Sequence, residues 1–189
     1  MNIDLILAFF GLLATILFGI LGIIGFKLSF SNKISWHKIN KAYKKIESQL
    51  LEYGPDVLIG IADGRITGGI IAANLQIDEF YVIDMPIKYE NGNRITQIKG
   101  KIGNIKDKKV LLFDNHIYTG TNMEEASKYI VKKSPALLKK AVFFKHEVGN
   151  ASHKVDYYSY KIGGKRKLMP WSYTKLHDNA YLVQLSSDK

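Results

Sequence analysis

Val110-Leu-Leu-Phe-Asp-Asn-His-Ile-Tyr-Thr-Gly-Thr-Asn122 is the stretch that decides the fold. Its first four residues, Val110 to Phe113, are large and apolar, the right length for one buried strand. Asp114 and Asn115 end that run, and Thr119-Gly120-Thr121 opens an expected helix over Met123 to Lys133. Strand, polar turn and helix N-terminus together aim backbone N–H groups and two hydroxyls at one spot, a geometry that holds phosphate. Alone, Thr-Gly-Thr also suits an ordinary turn between strand and helix, so its flanks decide.

Upstream, Pro55-Asp-Val-Leu-Ile-Gly-Ile-Ala-Asp-Gly-Arg65 repeats the pattern. Val57 to Ile61 reads as a buried strand, Ala62-Asp63-Gly64-Arg65 as a turn, and Ile66 to Leu75 as a helix of small residues. Phe80 to Met85 is a further strand, and Asn91-Gly92 between alternating flanks signals a two-residue hairpin. Downstream come an apolar strand, Ala141 to Phe144, then Lys145, and an outer strand marked by Tyr157, Tyr158 and Tyr160. Ahead of all these, Trp36, Ile39, Tyr43, Ile46 and Leu50 recur at helical steps with lysines between them, an amphipathic helix. Alternating strands and helices imply an α/β fold with a parallel sheet and flanking helices. The ligand site of such a fold lies at the carboxyl ends of the strands, where both turns fall.

The central stretch resembles the PRPP-binding motif of type I phosphoribosyltransferases: a hydrophobic strand, two acids, spacers, then Asp-Thr-Gly-x-Thr. Asn104-Ile-Lys-Asp-Lys-Lys-Val110 is similar to the basic turn leading into that strand, and Pro55 to Arg65 to the first strand and pyrophosphate loop. Ala141 to Lys145, Val155-Asp-Tyr-Tyr158 and Met169-Pro-Trp171 resemble the base-binding end of the xanthine and guanine branch. The matches keep their order from about Trp36 to Trp171.

The resemblance implies a Rossmann-like domain that binds PRPP or a nucleotide. It implies transfer of ribose 5-phosphate to a purine, with Mg²⁺ arriving on the pyrophosphate and Asp114 beside the metal. Thr119, Gly120, Thr121 and Asn122 would hold phosphate of PRPP, and Ala62, Asp63, Gly64 and Arg65 the pyrophosphate. The hairpin would be a mobile flap carrying Lys88, Arg94, Lys99 and Lys101. Lys145 would meet an exocyclic oxygen of the base, with Arg166 at the place of a stacking aromatic.

Three positions besides Arg166 depart from the family. Asp63 stands where a basic residue is usual. Of the motif's three acids only Asp114 is kept, with Asn115 for the second and Tyr118 for the third. An amide still bonds a ribose hydroxyl but carries no charge for metal or cationic sugar. A phenol near its ordinary pKa of about 10 is a poor base at neutral pH. Binding is expected to survive and transfer to be weak or absent. Restoring acids at both positions is expected to raise activity. His116, in the same turn, is an alternative base.

The 189 residues contain no cysteine, which excludes disulfides, thiolate metal sites and a cysteine nucleophile. The formal charge of +10 suits a polyphosphate ligand or an anionic bilayer. No helix-turn-helix, zinc-finger or RNA-binding pattern favours nucleic acid. No charge occurs from Leu5 to Phe26, roughly the 20 apolar residues a transmembrane helix needs. Residues 1–30 are therefore expected to anchor a domain over 31–189. Lys27, Lys33, Lys38, Lys41, Lys44 and Lys45 follow the span and no basic residue precedes it, which leaves that domain in the cytoplasm. The Asn150-Ala-Ser152 sequon is then a chance match. Gly11, Thr15, Gly19 and Gly22 line one side of the span, a face suited to a homo-oligomer.

Three functions fit: a working membrane-tethered transferase, a non-catalytic relative that binds PRPP or a nucleotide, and a membrane effector, for instance in prokaryotic defence, gated by such binding.

Overall fold

The computed structural model describes residues 15–20, 33–90, 93–147, 154–163 and 167–172. The chain divides into two compact units, His37–Arg166 and, together, Met1–Trp36 with Lys167–Lys189. In the second unit Ile34 N–H donates to the Leu168 carbonyl (2.8 Å), and the Trp36 and Trp171 rings lie 5.3 Å apart. Residues 15–20 are helical, with Ile16, Leu17, Phe18 and Ile20 exposed. The rest of the expected span, Leu5 to Phe26, lies outside the described residues, as do Asn91-Gly92, the sequon and Arg166. Among the described residues no helix is long and apolar enough to cross a membrane.

Helix α1, Trp36–Tyr53, buries Ile39, Ala42, Tyr43, Ile46, Leu50 and Tyr53 along one stripe, as the three- and four-residue spacing requires. Trp36, expected in that stripe, is half-exposed at the helix start. The Tyr53 hydroxyl donates to the Val110 carbonyl (2.9 Å), which pins the end of α1 to the central strands.

Strands β1, Val57–Ile61; β2, Glu79–Ile83; β5, Lys109–Ile117; β6, Leu137–His146; and β7, Tyr157–Ile162, form one sheet in the order β2-β1-β5-β6-β7. Every neighbouring pair is parallel. Helix α2, Gly64–Asn74, follows β1, and α3, Thr121–Val131, follows β5. β1 is buried throughout, because strands flank it on both edges and helices cover it, which is why it reads as an unbroken apolar run. β3, Ile87–Glu90, and β4, Asn93–Thr96, make a separate antiparallel pair in the register Ile87↔Thr96 to Glu90↔Asn93. That is the expected hairpin.

Several boundaries differ from expectation. β5 does not end at Asp114 and Asn115. It runs on to Ile117, because His116 and Ile117 are buried and stay in register with Phe144 and Lys145 of the neighbouring β6. α3 starts at Thr121, two residues early, since the Gly120 carbonyl already accepts the Glu124 N–H (2.9 Å). β2 stops before Asp84, whose backbone turns to exchange two hydrogen bonds with Lys99 (2.7 and 2.8 Å).

Candidate functional site

The chain direction of winding reverses between β1 and β5: one leads outward to β2, the other to β6 and β7. That reversal opens a crevice at the strands' carboxyl ends. Its two walls are the loops 62–64 and 118–120, each running into a helix N-terminus.

In the first loop Ala62 adopts a left-handed conformation (φ 44°), and its N–H donates to Ile83 of β2 (2.8 Å). Asp63 occupies the cap position of α2 with no side-chain capping bond. Gly64 passes so close to β5 that a Cβ there would lie 2.9 Å from the Phe113 carbonyl and 3.1 Å from the Asp114 Cα. Only glycine allows that approach, which seats the first loop against β5. Arg65 pairs with Asp84 at 3.3 Å, both half-exposed.

In the second loop Gly120 is left-handed (φ 76°) and opens α3. Thr119 and Thr121 turn their hydroxyls toward one another, 3.2 Å apart. Thr119 is exposed, and Thr121 and Asn122 are half-buried in the first turn of α3. The N–H groups of that turn, the helix dipole and two hydroxyls together favour an anion.

Between the loops, the half-buried Asp114 accepts the N–H of Asn115 (2.7 Å). Asn115 is only 1% exposed. Its Oδ1 accepts from the Thr67 hydroxyl of α2, and its Nδ2 donates to the Asp63 carbonyl (2.9 Å). The Asn115 amide thus ties the first loop and α2 to β5. Thr67 was not among the residues picked from sequence; a threonine one turn into a helix of small apolar residues was its only signal.

Tyr118 is 39% exposed at the end of β5, its ring edge-on to His146 at 5.0 Å. His146 and His116 are buried, and His146 Nε2 lies 3.3 Å from His116 Nδ1 in a hydrogen bond. His146 also escaped the sequence reading, as a polar residue closing an apolar run. Lys145, half-buried beside Ile117, holds its ammonium 5.5 Å from the centre of the Tyr158 ring. Lys88 is exposed on β3.

Among the described residues no three His, Cys, Asp or Glu side chains converge as a metal site. Asp114, a hard oxygen donor at the crevice, would suit a Mg²⁺ ion brought by a polyphosphate.

These features match known proteins. The phosphoribosyl transferase domain model matches residues 30–175. A hypoxanthine-guanine phosphoribosyltransferase of Aquifex aeolicus is 27% identical over 138 residues, covering 68% of this chain and 75% of that protein. A purine phosphoribosyltransferase structure from Pyrococcus horikoshii superposes with a TM-score of 0.70 at 26% identity, covering 76% of this chain and 95% of that one. The Helicobacter pylori xanthine-guanine-hypoxanthine phosphoribosyltransferase shares the fold, with a TM-score of 0.62, 20% identity, and coverage of 81% and 98%. With its parallel sheet, its paired loops at the switch point and a family match across most of its length, the chain belongs to the phosphoribosyl transferase domain family.

Proposed function

We propose that this protein is a membrane-anchored family member that binds PRPP or a purine nucleotide, and transfers ribose 5-phosphate to a purine weakly or not at all. Thr119, Gly120, Thr121 and Asn122 take the 5-phosphate. The backbone of Ala62, Asp63 and Gly64 takes the pyrophosphate, with Arg65 beside it. Lys145 faces the base.

The observation that carries the proposal is the pair of changes at Asn115 and Tyr118. In the family, two acids hold the ribose hydroxyls and help place the metal, and a third takes the purine's proton. Here the second of those positions is an amide engaged by Thr67 and Asp63 inside the fold. The third is a phenol. Mg²⁺, bound with PRPP, supplies charge to the leaving pyrophosphate. Asp114 alone among the three motif positions remains to face the charge that develops on the sugar. Loss of a positioned base costs about 10²–10⁴-fold in rate, while hydroxyls and backbone N–H groups keep the affinity.

Calorimetry of the full chain with PRPP, IMP, GMP and pyrophosphate, with and without Mg²⁺, tests the binding. Release of pyrophosphate dependent on hypoxanthine, guanine or xanthine tests the transfer. Binding with little release is expected, and Tyr118→Asp is expected to raise release by restoring the acid that faces the crevice. Turnover in the ordinary enzyme range, about 1–10³ s⁻¹, that Tyr118→Asp abolishes would replace this with an active transferase. The buried imidazoles beside Tyr118 are what favours that second function.

The membrane anchor rests on the charge-free run from Leu5 to Phe26, and the cytoplasmic side on the lysines after it.

A further inference from the structure

One side of α1 packs on the sheet, and the other carries charge of a single sign. Ile39, Ala42, Tyr43, Ile46 and Leu50 are buried, whereas Lys38, Lys41, Lys44 and Lys45 are all exposed. At helical spacing the four lysines fall within about a third of the circumference, opposite the buried stripe. No Asp or Glu stands between Asp4 and Glu47 in the sequence. Glu47, at the margin of the stripe, pairs with Lys44 at 2.7 Å. The Lys38 and Lys45 ammonium groups lie 5.5 and 3.9 Å from the centre of the Tyr160 ring, which carries the basic face onto β7 at the edge of the sheet.

Solubility alone does not select such a face. Like charges three and four positions apart, as at Lys38 and Lys41 or Lys41 and Lys45, weaken a helix, and a merely solvated face mixes the two signs. An anion lying along the helix relieves that repulsion. None of these cations is an arginine. The planar fork of arginine suits the individual phosphates of nucleic acid, whereas lysine point charges suit a diffuse layer of headgroups. The place of α1 in the chain argues for the second. It begins ten positions after Phe26, where the charge-free run ends. Fully extended, that stretch spans at most about 35 Å. An anchored chain therefore holds α1 at high effective concentration beside the bilayer, where the attraction of a few lysines suffices.

We infer that the lysine face of α1 docks the domain on an anionic bilayer surface, with the headgroup phosphates of acidic lipids as its partner. The inference deepens the membrane anchor proposed above and rests on it. α1 runs opposite to the strands. Its start lies by Phe144 and Tyr160, near the carboxyl ends of β6 and β7, and Tyr53 at its end donates to the Val110 and Leu137 carbonyls at the amino ends of β5 and β6. A domain resting on this face holds its strands along the membrane, so the crevice opens sideways and stays accessible to a soluble ligand. α3 covers the opposite face of the sheet: it shares a core with Val57, Ile59, Val110 and Leu112 that, among the described residues, includes none of α1.

The chain has no cysteine, so one introduced cysteine carries a unique fluorophore. Ser48→Cys puts it on the exposed face, one turn from Lys44 and Lys45, and Val131→Cys puts it on exposed α3. Each labelled full-length chain is combined with vesicles of phosphatidylcholine, alone or mixed with phosphatidylglycerol, that carry nitroxide-labelled headgroups. Quenching at position 48 is expected in the acidic vesicles only, and little quenching at position 131 in either. It should disappear in about 1 M salt, where the screening length is about 3 Å. Lys38→Gln, Lys41→Gln and Lys45→Gln together should lower the ratio of docked to lifted domain about fivefold per lysine. The same three positions changed to Arg, which keep the charge, should retain the quenching. All three lysines are exposed and repel one another, so the melting temperature of the Gln variant should not fall.

Equal quenching at position 48 in the two lipids, in a chain that sediments with both, would overturn the docking and leave the anchor. Sedimentation with the acidic vesicles alone, abolished by the triple Gln variant, would uphold the docking face and reject the anchor. Sedimentation with neither would overturn both. A response of the label at position 48 to an RNA oligonucleotide but not to phosphatidylglycerol would give the face to nucleic acid and overturn the inference.

Discussion

Thr67 donates its hydroxyl to Asn115 Oδ1 across 48 positions of sequence, and the other end of that amide donates to the Asp63 carbonyl. One buried side chain thus joins α2, the loop after β1 and the end of β5. Thr67→Val keeps the shape and removes the donor, and is expected to destabilise the fold by about 1–3 kcal/mol, the cost of stranding a buried polar atom. Denaturant unfolding measures it. Asn115→Asp is expected to destabilise as well, because a carboxylate cannot donate to the Asp63 carbonyl and sits buried against it. Asn115→Asp in combination with Tyr118→Asp is therefore expected to add nothing to what Tyr118→Asp achieves alone.

Gly64→Ala tests the approach of the first loop to β5. The new methyl would sit 2.9 Å from the Phe113 carbonyl and 3.1 Å from the Asp114 Cα, both backbone. Backbone cannot yield as a side-chain tip can, so a loss of about 1–3 kcal/mol in stability is expected. Pyrophosphate affinity should weaken with it, since the loop 62–64 is pushed off β5. A thermal melt and one calorimetric titration suffice, and unchanged values in both would contradict the close approach.

Thr119→Val removes a hydroxyl from the anion-binding loop while preserving shape. Thr119 is exposed and its Oγ1 lies 3.2 Å from that of Thr121. Stability should hardly change, and affinity for PRPP should drop by about 1–3 kcal/mol if a charged phosphate loses this donor. Unaltered affinity would move the phosphate elsewhere.

Alkali should expose Tyr43. Burial in the α1 stripe, reinforced by the Glu47 carboxylate, pushes its phenol up to about 12. The unfolded chain releases this proton near pH 10, so the folded form binds it more tightly. The stability linked to Tyr43 is whole below about pH 10 and is lost as pH rises toward 12. Tyr43→Phe is expected to flatten the fall in melting temperature over that interval.

For the anchor, a reporter fused after Lys189 should be active on the cytoplasmic side, since the lysines follow the apolar run and none precede it. Activity confined to the outer side would reverse the topology. Release of the full chain from membranes by carbonate would remove the anchor altogether.

The sequence by itself determined the strands, their alternation with helices and the two loops at the crevice. Val57 to Ile61 and Val110 to Phe113 are unbroken apolar runs, and Gly64 and Gly120 stand where the backbone turns into a helix. Such features are set by residues adjacent in the chain, so they are legible in one dimension. The direction of a polar side chain at the end of a strand is not. Asn115 read as a site residue facing the ligand, yet its amide is turned to Thr67, because β5 continues in register with β6 past Asp114 and α2 packs beside it. His146 had no local signal at all; only the parallel pairing of β5 with β6 brings it against His116, and only the loop after Ile117 brings Tyr118 onto its ring. Pairing between distant strands and the packing of a helix over them decided which polar groups meet, and no spacing within the chain encodes that.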